Sequence, residues 1–270
     1  MTRNWRRLVV AIGCTGVLSI GSTALAQTFD PAKSFAVVGG QSVTAASGGI
    51  QTQITGDVGV APGTSLTGFP AFAATVPPFA THNNDGLAQN AQATTQALYD
   101  SITPLPPGTA IGDELSNQIL GPGTYSIGAA NIASPGGPVN GTLTLNGAGT
   151  YIFKVASSLT ANVNTSVNLI GVDPCLVYWQ VGSAATLNGV TFSGNVVAQA
   201  AVTLGSNATL AGRALTTSLG SVTLAGSNTV GGCSVAVVPT MPQWLLIALA
   251  GLLALGGMSA MRRRAVSIRR

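Results

Sequence analysis

The sequence predicts a mostly β protein, a solenoid of short stacked coils with one α-helix alongside. Three observations carry this. First, residues 141–230 repeat: Ser158-Leu159, Thr186-Leu187, Thr203-Leu204 and Thr223-Leu224 each set a hydroxyl residue before Leu, at spacings of 28, 17 and 20. A period near 20 with Gly and Asn at the corners marks stacked coils with loops of unequal length. Second, each unit alternates polar and apolar residues, the period of half-buried strands. Third, one segment, 85–101 (DGLAQNAQATTQALYDS), breaks that pattern and places Leu87, Ala88, Ala91, Thr95 and Leu98 at helical spacing.

In chain order, residues 1–26 read as a secretory signal peptide. Arg3, Arg6 and Arg7 precede the apolar Leu8–Ile20, and Ala24-Leu25-Ala26 offers a small-residue cleavage site. Within the body, 27–237, the early stretch TQITGDVGVAPGTSLTGF at 52–69 follows the same strand grammar. The helix starts at Asn84 or Asp85 as N-cap and stops before Pro104. With so few charge pairs it needs packing against the coils to persist. Residues 104–123, rich in Pro and Gly, read as a loop or small cap over one solenoid end.

Parity assigns inside and outside. Leu159, Ala161, Val163, Val167 and Leu169 share one side, with Thr165 the exception, while Ser158, Thr160, Asn162, Asn164 and Ser166 share the other. Leu187, Leu204, Leu210 and Leu224 point inward in the later coils. The candidate outward surface is therefore Thr160, Asn162, Thr186, Asn188, Thr203, Thr209, Ser221 and Thr223. Threonine suits it because a branched side chain fits the pleat. Parity does not say which of several outer sides each residue occupies. Arg213 falls out of step and is expected at a corner or on a different side.

Charge excludes some functions. Eight arginines lie in the two ends, so the body keeps three basic residues, Lys33, Lys154 and Arg213, against seven acids, a net charge of −4. A nucleic-acid partner needs a basic stripe, and the body has none. His82 has no second His or Cys partner nearby and reads as a surface loop residue. Asp113-Glu114 reads as a solvated acidic pair. The repeats hold only Lys154, Asp173 and Arg213, too scattered for acid–base catalysis. No enzyme activity, cofactor or metal is expected. The body keeps two cysteines, Cys175 and Cys233, and export makes a disulfide between them the default, two buried thiols being the other reading.

The last segment, 238–270, holds an 18-residue apolar run, Trp244–Met261, preceded by Pro239 and Pro242 and followed by Arg262, Arg263 and Arg264. The run is just long enough to span a bilayer, with the arginines on the cytoplasmic side. Val238-Pro239-Thr240-Met241, the apolar run and the arginines together resemble the IPTL-CTERM and PEP-CTERM sorting signals of Gram-negative bacteria. That resemblance implies a sorting peptidase as partner. A plain inner-membrane anchor through 244–261 is the simpler reading.

Ordered landmarks along the body resemble the DUF3494 ice-binding protein family. They run from Ser34-Phe35-Ala36-Val37-Val38 through Thr55-Gly56-Asp57-Val58-Gly59-Val60-Ala61-Pro62-Gly63 and Thr67-Gly68-Phe69-Pro70. They continue with Gly121-Pro122-Gly123-Thr124-Tyr125, Gly141-Thr142-Leu143-Thr144-Leu145, Tyr151-Ile152-Phe153 and Val177-Tyr178-Trp179-Gln180-Val181-Gly182. Gly194-Asn195-Val196-Val197-Ala198 and Gly212-Arg213-Ala214 complete the series. The resemblance implies a discontinuous right-handed β-solenoid of triangular section with the helix packed alongside. It also implies that one flat Thr/Ser/Asn/Ala face adsorbs to ice or ordered water. The expectation is an exported, monomeric antifreeze protein at the cell surface or outside the cell. A cell-surface adhesin or structural solenoid without ice activity is the alternative.

Overall fold

The computed structural model describes residues 34–132 and 141–233. Residues 1–26, expected as a signal peptide, and the 238–270 segment lie outside the described residues. Each coil visits three sides in turn, and all strand pairs between coils are parallel. One coil shows the plan: Tyr151–Val155 on the first side, Leu159–Ala161 on the second and Ser166–Ile170 on the third. The chain then returns to the first side as Val177–Val181, one layer on, paired with Tyr151–Val155.

The stack is not in chain order. The strand Phe35–Gly39 pairs with Thr209–Thr216 on one flank and Asp57–Val60 on the other. Ser42–Ala45 likewise lies beside Ser221–Leu224. The N-terminal coils therefore continue the solenoid beyond its C-terminal coil. After Thr81–Asn83, at that far end, the helix Gly86–Ile102 carries the chain back along the first side, a run of about 25 Å. The chain resumes at Thr109–Ala110, which pairs with Gly123–Ile127 at the opposite end.

The two kinds of side have different sequences because they have different neighbours. First-side strands such as FAVVG (Phe35–Gly39) and VYWQV (Val177–Val181) are buried at every position. Their inner residues face the core and their outer ones face the helix, so they read as near-continuous apolar runs. Phe35, Val38, Ile152, Tyr178, Val197 and Leu215 meet Ala91, Leu98 and Ile102 of the helix. Second-side strands have solvent outside, so SVTL and AVTL keep strict alternation.

Inside, like residues stack on like. Tyr125, Phe153, Trp179 and Phe192 form a file with ring centroids 5.4, 4.0 and 5.1 Å apart. Such pairs contribute roughly 0.5–1.5 kcal/mol each beyond burial. The polar edge of Trp179 is satisfied, since its Nε1 donates to the Ser193 carbonyl at 3.1 Å. Tyr125 Oη reaches out to the Gly121 carbonyl at 2.7 Å. On the second side Leu187, Leu204 and Leu224 stack in register and are fully buried.

The corners explain where parity fails. Strands Thr191–Ala198 and Thr209–Thr216 turn from the third side to the first without a break, at the paired glycines Gly194 and Gly212. Gly194 has φ +113°, and a Cβ on Gly212 would lie 1.9 Å from the Gly194 carbonyl oxygen. Between the second and third sides the turn uses left-handed residues, Asn164 (φ 58°) and Asn207 (φ 64°). In that turn Val163 leaves the core and is 59% exposed, while Thr165 is buried on the side that its parity shares with Leu159 and Val167. Ser158 also falls out of line: Thr160 is the residue in register with Thr186.

Of the two N-caps that the sequence offers, the structure uses Asp85, which accepts from the Leu87 and Ala88 amides, and the helix begins at Gly86. Ala88, Ala91, Thr95 and Leu98 are buried as expected, but Leu87 is 57% exposed, its place against the solenoid going to Gln92 and Ile102. His82 is on a strand rather than in a loop, and its Nδ1 lies 2.8 Å from Asp85 Oδ2. Residues 104–123, expected as a loop or small cap, form a partial coil at that end of the stack, with Ile119–Leu120 pairing to Thr142–Asn146. Cys175, in the turn Pro174–Leu176, is joined to Cys233 with a Cα–Cα distance of 5.2 Å. The chain-entropy model credits a loop of this length with about 4 kcal/mol.

Gly212→Ala is expected to destabilise the fold by roughly 1–3 kcal/mol, because the Gly194 carbonyl must move; urea denaturation checks this. Asp85→Ala should lower stability by about 1 kcal/mol. The Ala88 amide, followed by the His82 hydrogen bond, holds the Asp85 carboxyl below its usual pKa of 3.8. Its contribution is therefore full above 3.8 and fades as pH falls through the lowered value. Thermal melts should show the gap between wild type and Asp85→Ala narrowing in that acid range.

Candidate functional surface

The second side is a seven-stranded parallel sheet in the order Ala130–Ile132, Leu159–Ala161, Ala184–Leu187, Ala201–Leu204, Ser221–Leu224, Ser42–Ala45 and Ser65–Thr67. Alternation sends every other side chain outward, and register then aligns those of successive coils. The central outward column is Asn131, Thr160, Thr186, Thr203, Thr223, Thr44 and Thr67. Six threonines thus stand in one unbroken ladder. With coils about 4.8 Å apart, the seven rungs span roughly 29 Å.

A second column lies two residues before the first, about 6.7 Å away along the strands. It runs Ala184, Ala201, Ser221, Ser42 and Ser65. On the other flank stand Asn162 and Asn188, whose amides continue the ladder by donating to Ile132 and Ala161 carbonyls. The surface is a grid of hydroxyls, methyls and carboxamides. Among the described residues no protein group takes the six threonine hydroxyls in a hydrogen bond, so all remain open to water. Charge begins only past the end of the grid, where Glu114 Oε2 accepts from Asn131 Nδ2 at 3.1 Å.

Seven of the eight surface residues expected from the sequence are on this side: Thr160, Asn162, Thr186, Asn188, Thr203, Ser221 and Thr223. Thr209 is not. It pairs with Thr191 and Thr229 on the third side. Its parity is the same, but the corner at Asn207 has turned it onto another plane. The third side is also less regular: its column reads Thr142, Ser166, Thr191, Thr209, Thr229, Gln53 and Ala74. Thr142 Oγ1 and Ser166 Oγ hydrogen-bond each other at 3.1 Å, and Ile170 is half exposed.

Sequence reasoning missed Ser42, Thr44, Ser65, Thr67 and Asn131. The signal was present, since SVTA and SLT repeat the alternation of SVTL. What could not be read was that the first coils of the chain lie beside the last.

Arg213 follows the Gly212 corner onto the helix-covered first side and is 9% exposed, away from the grid. Its burial presses the guanidinium pKa down, with nearby Tyr178 opposing. Among the described residues no group of three His, Cys, Asp or Glu side chains could hold a metal.

Comparison with known proteins places this geometry. A family model described as ice-binding-like matches residues 37–230. The chain is 32% identical over 245 residues to an ice-binding protein of Nostoc sp. (strain HG1), covering 86% of each. Its fold is similar to that of an ice-binding protein from an Antarctic biological consortium, with a TM-score of 0.66 and 32% identity over 74% of this chain and 88% of that one. The ice-binding protein of the Antarctic ascomycete Antarctomyces psychrotrophicus gives the same TM-score at 29% identity, over 77% and 98%.

Because the ladder points wholly outward, bulky replacements on it should leave the fold intact. Thr203→Tyr is expected to change unfolding free energy by no more than about 0.5 kcal/mol, measured by thermal or denaturant melts.

Proposed function

The chain belongs to the ice-binding-like family, and from that premise we propose that it adsorbs to ice through the second-side grid. The observation that carries this is the ladder of Thr160, Thr186, Thr203, Thr223, Thr44 and Thr67. Its repeats, about 4.8 Å across the strands and 6.7 Å along them, make a regular two-dimensional array. A water layer held on the grid takes its order from that array before it meets the crystal.

The chemistry favours such a layer. Each threonine offers a hydroxyl to bond water and a methyl that occupies space without binding it. The β-branch leaves χ1 few choices, so little side-chain entropy is lost on adsorption. The backbone is fixed by hydrogen bonds to coils on both sides. No charge in the grid orients water against the lattice. Adsorption involves no bond making, so no catalytic group, cofactor or metal has a part in it.

Residues 27–237 form the adsorbing body in this reading. The basic and apolar pattern of 1–26 supports export, and the Cys175–Cys233 bond suits an oxidising compartment. The 238–270 segment, with its 18 apolar residues and arginine cluster, supports retention at a membrane, either as a sorting signal or as an anchor.

The test is thermal hysteresis together with inhibition of ice recrystallisation. Thr203→Tyr should reduce both to near the level of buffer, while Thr209→Tyr, on the third side, should leave them near wild type. Activity should also be flat across neutral pH, since the grid holds no titrating side chain. Equal loss in both variants would place adsorption elsewhere, and full activity in Thr203→Tyr would remove the grid from the function.

A further inference from the structure

The helix Gly86–Ile102 packs on the first side but leaves a groove along one flank. On the helix the groove is lined by Gln89, Gln92, Gln96, Tyr99 and Thr103, residues three or four apart that share one stripe. Opposite stand the turns by which successive coils pass from the first side to the second, at Pro62, Ser218, Gln199 and Gly182. Two open cavities make up the groove, one of about 300 Å³ beside Gln89–Gln96 and one of about 480 Å³ beside Tyr99 and Thr103. From Gln89 to Thr103 the helix rises about 21 Å, so the groove is long and straight.

Four glutamines of the groove are held in the same way. Gln89 Nε2 donates to the Asn84 carbonyl at 3.0 Å, Gln92 Nε2 to the Thr216 carbonyl at 3.1 Å and Gln96 Nε2 to Asp100 Oδ1 at 3.0 Å. Gln180 Nε2 donates to the Tyr99 carbonyl and to Thr103 Oγ1, both at 2.8 Å. In each, the donor end is anchored, and among the described residues no protein group donates to the Oε1. Gln92 lies deepest, 5% exposed, with its Oε1 buried and unmet. An acceptor left without a donor at that depth is costly. The one cation of the groove is already engaged, since Lys154 Nζ donates to the Thr103 and Leu105 carbonyls at 3.0 and 2.6 Å.

From this arrangement we infer that the groove binds a neutral polysaccharide, an extended chain of pyranose rings. Ring hydroxyls are donors repeated along a chain, which is the ligand that a row of fixed acceptors takes. Because the carboxamides are already anchored, little rotamer freedom is lost when the chain arrives. Tyr99, Ala93, Ala61 and Pro62 supply apolar surface for the faces of the rings. An anionic chain fits poorly: it meets acceptor oxygens, an occupied lysine and a body of net charge −4. An extended peptide finds no open sheet edge, since the first-side strands here are paired on both flanks. A straight groove also selects β-1,4-linked chains, which are extended, over α-1,4-linked ones, which coil. The site lies across the corner from the threonine grid, so a chain bound in it leaves the grid open, and the inference does not rest on ice adsorption.

The experiment titrates the full chain by calorimetry with cellohexaose, mannohexaose and xylohexaose, and with maltohexaose and hexagalacturonate for contrast. At least one of the first three should bind, and the last two should bind about tenfold more weakly or less. Gln199 is exposed on the groove wall, so Gln199→Trp should fill the larger cavity and abolish sugar binding while melting as wild type does. Gln89→Ala/Gln96→Ala, at two positions that are not buried, removes two acceptors and should weaken binding roughly tenfold. That pair carries the test of place if Gln199→Trp does not fold. Thr203→Tyr should bind the sugar as wild type does. The inference is overturned if none of the three β-1,4-linked chains binds, or if hexagalacturonate or maltohexaose binds as tightly. It is equally overturned if the folded groove variants keep full affinity, or if Thr203→Tyr loses it. No ice enters the measurement, so its failure leaves the adsorption reading standing, and loss of hysteresis in Thr203→Tyr leaves this inference standing.

Discussion

Everything in this structure depends on coils stacking in register, with no slip of even one residue along the strand. A slip by one would turn Leu187, Leu204 and Leu224 outward and Thr186, Thr203 and Thr223 inward. The same alignment therefore builds the core and the outer surface. Burial of the inner residues is the force that sets it, and the order of the outer residues is the consequence. An exposed array of threonines has little means of ordering itself, but here the order is imposed from behind by leucine, valine and the Tyr125–Phe153–Trp179–Phe192 file.

The three sides are specialised by what covers them. The first is covered by the helix, and its outward positions include apolar residues and polar groups with partners. Gln180 Nε2, for example, donates to the Tyr99 carbonyl at 2.8 Å, and Lys154 Nζ donates to the Thr103 carbonyl at 3.0 Å, where a cation suits a helix C-terminus. The second side is left open and kept free of charge. The third is interrupted by the glycine corner through which its strands bend into the first side. A long regular plane is therefore available on one side only, which is why the functional argument can be confined to it.

The out-of-order arrangement also has a consequence for the surface. Had the chain simply wound from end to end, the ladder would have held the threonines of one continuous run. Placing Ser42–Ala45 and Ser65–Thr67 beyond Ser221–Leu224 instead makes Thr44 and Thr67 the last two rungs, next to Thr223. It also frees a segment to return as the helix that seals the first side. The order of the rungs and the protection of the core thus come from one topological choice.

The sequence by itself determined the strand grammar, the inward and outward residues of each strand, the helix to within a residue, and the neutrality of the surface. These are local properties: alternation, helical period and charge can be read wherever they occur. It also held a clue to the covered side, since FAVVG and VYWQV lack the alternation that SVTL keeps. Only the tertiary structure decided which outward threonines share a plane. Thr203 and Thr209 have the same parity six residues apart, yet Asn207 in the left-handed region turns one from the other. Thr44 and Thr223 lie at opposite ends of the body, yet they are adjacent rungs. Side-chain parity is fixed within a strand by the pleat. Coil adjacency is fixed by burying apolar faces between strands remote in sequence, so no short stretch of sequence contains it.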